Sequence, residues 1–152
     1  MRFTALTDYA IRATLEIAAN NPNWVSIDQI SQAQSLSDDY LRTALNSLRR
    51  AGILESRRGR EGGFRLTRPA KEITLGDIIR AIDGPLTSVR GKRPESLDYQ
   101  GTSLGLAKVW IALRASEREI LDSVSLVHLI SGKLPSKIER LIRDPSAWLP
   151  PK

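Results

Sequence analysis

The chain contains no cysteine. That one absence removes disulfides, thiolate-held zinc, a cysteine nucleophile and a thiolate-ligated iron–sulfur cluster together. Histidine is nearly missing too, and the single one, His128, cannot build a His-rich metal site. Lying among Val127, Leu129 and Ile130, it reads as a packed or interface residue rather than a pH or metal sensor. It is also far from any glycine-framed serine, and no paired carboxylates flank a cleft pattern, so no enzyme is expected. Aromatic residues are 5% of the 152, which leaves Leu, Ile, Val and Ala to form one modest core. No stretch approaches the roughly 20 apolar residues of a membrane span. The opening "MRFTALTDYAIRA" breaks its apolar pattern with charge and shows no cleavage-site signature, so it is no secretory signal. A cytoplasmic protein with no membrane partner is expected.

What the chain does have is positive charge, in one place. Net charge is +6. Between Arg42 and Arg68 eight arginines stand against Glu55 and Glu61, an excess equal to that of the whole chain. No lysine contributes. Arginine's planar fork suits bidentate contacts to phosphate and guanine, so a polyanion is the implied partner.

Local patterns put that charge on a recognisable scaffold. "FTALTDYAIRATLEIAANN" carries a helical stripe at Leu6, Ala10, Ala13 and Ile17. Ser26 followed by Gln29 is a capping box opening a short helix to about Gln34. Ser37, followed by Asp38 and Asp39, is a second N-cap, of a helix that runs to about Arg50 and stops at Gly52. Two such helices in succession make a helix-turn-helix. On the second, Leu41, Leu45 and Leu48 share one face. Opposite lie Asp39, Thr43, Asn46 and Arg50, flanked by Arg42, Ser47 and Arg49. A merely solvated face is the plain alternative. Short polar and Arg side chains opposite a leucine stripe also suit a helix in a DNA major groove.

"SRRGREGGFRLTRPA", residues 56–70, follows directly. "ILESRR" and "GFRLTR" are strand candidates joined by "GREG", with Gly59, Gly62 and Gly63 as positive-φ positions for the turn. A nucleotide phosphate loop is excluded, because no Lys-Ser or Lys-Thr follows and no helix begins there. A hairpin after a helix-turn-helix is a wing, and its arginines can enter the narrow minor groove.

Thr74 then caps a helix with Ile78, Ile79 and Ile82 on its apolar face, ending at Gly84-Pro85. Residues 85–103 are a turn-rich linker in which Arg90, Lys92 and Arg93 read as solvated charge, a further phosphate contact or an anionic-effector site. "LGLAKVWIALRASEREILDSVSLVHLI" reads as one long helix with apolar positions at Leu106, Trp110, Leu113, Ile120, Leu121 and Val124. A short helix around Leu126–Ile130 and an amphipathic tail come after it. A partly apolar helix outside a small winged domain must be covered, and a second copy in a twofold dimer does so most economically. Trp110 could instead line a ligand cavity beside the linker.

The segments "TDYAIRATLEIA", "LSDDYLRTALNSLRRAGIL" and "SRRGREGGFRLTRPAKEITLGDIIRAIDG", with the later "VWIAL" and "VSLVHL", resemble the IscR-type bacterial regulators, the Rrf-two family, over residues 1–130. The resemblance implies a dimeric winged-helix transcription regulator of an inverted repeat. It implies base or backbone contacts at Ser37, Asp39, Tyr40, Arg42 and Thr43, and a minor-groove contact at Arg58. Arg42 departs from relatives with an acid or amide there, which moves the preference from cytosine towards guanine. Cluster-binding relatives place three cysteines and a histidine before the long helix. Residues 84–107 here contain neither, and Ala107 stands about where the histidine would be.

The fold class expected is mainly α: a winged helix-turn-helix at 1–83 with a small two-stranded β-wing, a linker at 84–103, and a long dimerisation helix with its tail at 104–152. The function expected is a homodimeric, sequence-specific DNA-binding regulator, a repressor, with no iron–sulfur cofactor and room for a small-molecule effector. Its DNA contacts would be Ser37, Asp39, Tyr40, Arg42, Thr43, Asn46, Arg49, Arg50, Arg57, Arg58, Arg60 and Arg65. The competing expectation is a winged-helix module that binds protein or RNA without reading DNA sequence.

Overall fold

The computed structural model describes residues 3–149. Seven helices and one hairpin follow in the order α1 (Ala5–Ala19), α2 (Ile27–Gln34), α3 (Asp38–Arg50), β1 (Leu54–Arg57), β2 (Gly63–Leu66), α4 (Leu75–Asp83), α5 (Leu106–Leu121), α6 (Leu126–Ser131) and α7 (Ser136–Arg143). Short 3₁₀ turns occupy Ala70–Glu72, Pro94–Ser96, Gly101–Ser103 and Pro145–Trp148. The winged helix-turn-helix is present, mostly helical with one antiparallel pair.

Local chemistry explains most boundaries. Ser26 accepts from the Gln29 amide at 3.2 Å while the Gln29 side chain accepts from the Ser26 amide at 2.8 Å, so the capping box forms as expected. Thr74 and Asp77 make the same reciprocal pair at the start of α4. Ser37 holds the N-cap position of α3 but makes no side-chain cap bond.

The core is built around α1, whose Ala10, Ala13 and Ile17 are fully buried. Leu41, Ala44, Leu45 and Leu48 of α3 are buried against it. Each leucine of that stripe contributes about 1.5–3 kcal/mol by leaving water. The buried Thr7 hydroxyl donates to Asp83 at 2.6 Å and ties α1 to the end of α4.

The hairpin pairs Leu54 with Leu66, Glu55 with Arg65, Ser56 with Phe64 and Arg57 with Gly63. Val25 extends it: its amide donates to the Phe64 carbonyl at 3.0 Å and its carbonyl accepts from the Phe64 amide at 2.8 Å. Gly59 and Gly63 take positive φ (108° and 145°). Gly62 does not serve that purpose. A Cβ there would strike the backbone at Arg57 and Arg58, so close approach is what requires glycine.

Beyond α4 the structure corrects the extent of the long helix and shows what covers its end. The long helix ends at Leu121 rather than running on, and Ser125 starts α6 through a cap in which its amide donates to His128 Nδ1 at 3.1 Å. Leu121 and Val124, expected at a dimer interface, are already covered within the single chain. They are 9% and 3% exposed in the single chain, because Leu121 packs on Ile79 and Leu86 while the Val124 carbonyl accepts from the Leu75 amide. Leu126 of α6 lies in the same core as α1, and its amide donates to the Ile73 carbonyl at 3.0 Å.

The linker is pinned to α5. Arg114 donates to Glu95 at 2.5 Å, Thr87 to Glu117, and Trp110 Nε1 to the Tyr99 hydroxyl at 3.1 Å. Trp110 therefore belongs to the linker-facing side of α5. Leu106, Val109, Leu113 and Ile120 form an exposed apolar stripe, falling within about 60° of one another at about 100° per residue, while Ile111 is exposed on the opposite side. Among the described residues no helix is long and apolar enough to cross a membrane.

Candidate nucleic-acid interface

With its leucine face buried, α3 must present the opposite face to solvent. Asp39, Tyr40, Arg42, Thr43, Asn46, Arg49 and Arg50 are all exposed there, and Ser47 is half-buried. Ser37 is exposed just ahead of the helix, its hydroxyl free of any cap bond. The Thr43 hydroxyl donates to the Asp39 carbonyl at 3.1 Å, which leaves its lone pairs and methyl outward. Tyr40 is held by a tilted contact with Tyr9 of α1, ring centroids 5.8 Å apart. Arg49 and Arg50 end the helix, where its dipole favours cations.

The wing arginines fall into two groups. Arg65 donates through Nε and an Nη to one oxygen of Glu55, at 2.9 and 2.7 Å, because the hairpin register sets the two residues opposite each other. Its guanidinium also lies 4.5 Å from the centre of the Trp24 ring, and that of Arg57 lies 4.9 Å from it. Arg57 further donates to the Glu61 carbonyl at 2.5 Å, which closes the loop. Among the described residues the side chains of Arg58 and Arg60, at the tip, have no hydrogen-bond or ion-pair partner.

A groove of about 630 Å³ joins the two halves. Arg42 of α3, Arg57, Arg58 and Arg60 of the wing, and Ser26 and Asp28 at the start of α2 all line it. Four of the arginines singled out from sequence thus share one concave surface. Sequence reading missed Trp24 as the support of the wing, and Val25 as the residue whose single bridge to Phe64 extends it. The signal was the "WV" immediately before the Ser26 capping box.

A helix-turn-helix, a basic wing and a groove between them define the class: a DNA-binding winged-helix protein. The chain belongs to the Rrf2 family, described as iron-dependent transcriptional regulators, whose model matches residues 3–132. It is 40% identical over 145 residues to Rv1287 of Mycobacterium tuberculosis (strain ATCC 25618 / H37Rv), a candidate HTH-type transcriptional regulator, spanning 95% of this chain and 90% of that one. The structure of CymR (YrzC), the global cysteine regulator of B. subtilis, superposes with a TM-score of 0.72 at 30% identity, covering 88% of this chain and 98% of that one. T. potens IscR gives 0.65 at 27% identity, over 100% and 94%. Transcription regulation through a DNA-binding winged helix is thereby established as the protein's class of activity.

Iron, named in the family's description, does not fit the residues present. Cysteine is absent from the chain. Among the described residues no group of three or more His, Asp or Glu side chains could hold a metal ion. The single histidine turns Nδ1 to the Ser125 amide, spending that nitrogen's lone pair on a helix cap.

Proposed function

We propose that the protein acts as a homodimer on an inverted-repeat operator, each α3 in a major groove and each wing on the adjacent minor groove. The observation that carries this reading is the shared groove in which Arg42 meets Arg57, Arg58 and Arg60. Arg42 reads a base edge, guanine by preference. Arg58 and Arg60, uncommitted at the wing tip, take phosphates or the minor groove. Ser37, Asp39, Tyr40, Thr43 and Asn46 complete the α3 contact, and Arg49 and Arg50 add phosphate contacts at its end. Arg65 is a positioning residue, since Glu55 and Trp24 already occupy it.

Homodimerisation is supported by α5. Leu106, Val109, Leu113 and Ile120 are 39%, 56%, 45% and 37% exposed on one face, and a second copy would cover them. Such a dimer presents its recognition helices to half-sites about one helical turn apart. Seated on a promoter it excludes other proteins from the same DNA, so the sense assigned is repression.

Selection of bound sites from a random duplex pool, at two salt concentrations, tests the reading. An enriched inverted repeat is expected. Strong binding at low salt with a pool that stays random would overturn it and leave a winged module that grips protein or RNA without reading DNA sequence.

A further inference from the structure

The end of α4, the linker and α5 enclose a cavity of about 340 Å³. Arg80 of α4, Arg93 of the linker, and Arg114 and Arg118 of α5 line it, with Glu95 as the one acid and Leu86 among the apolar neighbours. Four guanidiniums around one small space repel one another unless anions compensate them. The compensation here is incomplete. Glu95 takes Arg114 at 2.5 Å. Asp77 and Asp122 take Arg80 at 3.1 and 2.8 Å, and neither lines the cavity. Among the described residues Arg93 and Arg118 have no carboxylate within 4.0 Å.

We propose that this cavity binds a small multivalent oxyanion, a phosphate monoester or a polycarboxylate, and that the bound anion weakens DNA binding by competing for Arg80. The volume is at the small end of ligand pockets, about 300–1,000 Å³. Planar guanidinium forks match the oxygens of carboxylate and phosphate in pairs. Arg93 and Arg118 supply the uncommitted donors, and the apolar patch at Leu86 fits a short carbon body.

Coupling runs through Arg80. Asp122 is the residue just past α5, and its bond to Arg80 fastens the end of that helix to α4. Asp77 holds Arg80 with one oxygen and Arg68, two residues beyond β2, with the other at 3.1 Å. Arg80 thus joins the cavity to the end of α5 and to the base of the wing. An anion that draws Arg80 into the cavity releases α5, which in the dimer sets the spacing of the two recognition helices. The regulatory half of this inference rests on the proposed operator binding; the binding half does not.

Calorimetric titration of the purified full chain with citrate and, separately, inorganic pyrophosphate, at fixed ionic strength and without DNA, tests the site. One saturable site per chain is expected for at least one probe. The Arg93→Ala/Arg118→Ala double variant should bind about tenfold more weakly or worse, the cost of losing charge-assisted bonds. Both residues are exposed, and a thermal melt matching the wild type would show the variant folded. An Arg58→Ala/Arg60→Ala variant should keep wild-type anion affinity. Loss in that variant instead of the cavity variant would put the anion on the wing and overturn the proposal, as would no binding of either probe at millimolar concentration. Anisotropy on the selected operator tests the coupling: saturating anion should lower wild-type affinity several-fold and leave the double variant unchanged. Intact anion binding with unchanged or raised operator affinity would overturn the regulatory half while the operator reading stands.

Discussion

Replacing Arg58 or Arg60 by alanine should flatten the salt dependence of DNA binding, and replacing Arg65 should not. The three residues have the same side chain and lie on one hairpin, so the difference comes entirely from what surrounds them. Arg58 and Arg60 hold no partner among the described residues, and each is free to release counterions from a phosphate. Every phosphate contact adds about 0.9 to the slope of log affinity against log salt. In a homodimer each substitution occurs twice, so each variant should lose about 1.8 from the slope. Over a fourfold rise in salt, the wild type then loses about 12-fold more affinity than the variant. Arg65 is clipped to Glu55 at 2.7 Å, with side chains 37% and 44% exposed, and stacked on Trp24. Its removal costs about 0.5–1 kcal/mol of cation–π energy and at most about 1 kcal/mol of surface ion pairing. Fluorescence anisotropy on a labelled duplex at several salt concentrations reads the slopes, and urea unfolding reads the stability. A drop in slope for Arg65→Ala matching that for Arg58→Ala, with an unchanged urea midpoint, would refute the reasoning. Unchanged slopes for both tip variants would take the wing off the DNA.

Arg42→Ala should cost about 1–3 kcal/mol on the preferred site and relax one base position; a repeated site selection reads it, and an unchanged preference or an equal loss on random DNA counts against the assignment. Leu113→Asp puts a charge in the centre of the exposed α5 stripe and should convert the dimer to a folded monomer in sedimentation velocity, whereas a dimer that persists would move the interface elsewhere. Asp77 gives a pH signature. Burial pushes its carboxyl up, but the Thr74 amide, the bond to Arg80 and the charges of Arg68 and Arg80 outweigh this and hold it below the ordinary 3.8. A carboxyl depressed in the folded state contributes stability that is present above its unfolded value and lost as pH falls through the folded one. Wild type should therefore lose stability more steeply than Asp77→Asn below about pH 4, and at neutral pH the variant should be less stable by about 1 kcal/mol through its weakened cap. Parallel acid limbs in thermal melts would contradict the network.

The features legible in the sequence were those whose physics is local. A capping box needs only residues three apart, so Ser26 with Gln29 was readable, and the Leu41, Leu45 and Leu48 stripe needs only helical spacing. The features that escaped depend on what meets a residue from far along the chain. Periodicity shows that Leu121 and Val124 must be covered, but a second copy and the chain's own α4 region satisfy that requirement equally. The break between α5 and α6 carries no proline or glycine, and its one mark is a Ser125 cap answered by His128. The arginine-rich stretch gives the most instructive case. Its summed charge correctly pointed to a polyanion, yet a sum cannot say which cations are already neutralised. That depends on strand register, which places Arg65 opposite Glu55, while among the described residues Arg58 and Arg60 at the tip hold no ion-pair partner. The same accounting applies at the cavity between α4, the linker and α5. The sequence left Arg93 open between solvated charge, a phosphate contact and an anionic-effector site, and gave no sign of Arg118. The fold gathers both with Arg80 and Arg114 around one cavity. In both places the informative quantity is the cation left without a carboxylate, because that is the group with free energy still to gain from an incoming anion.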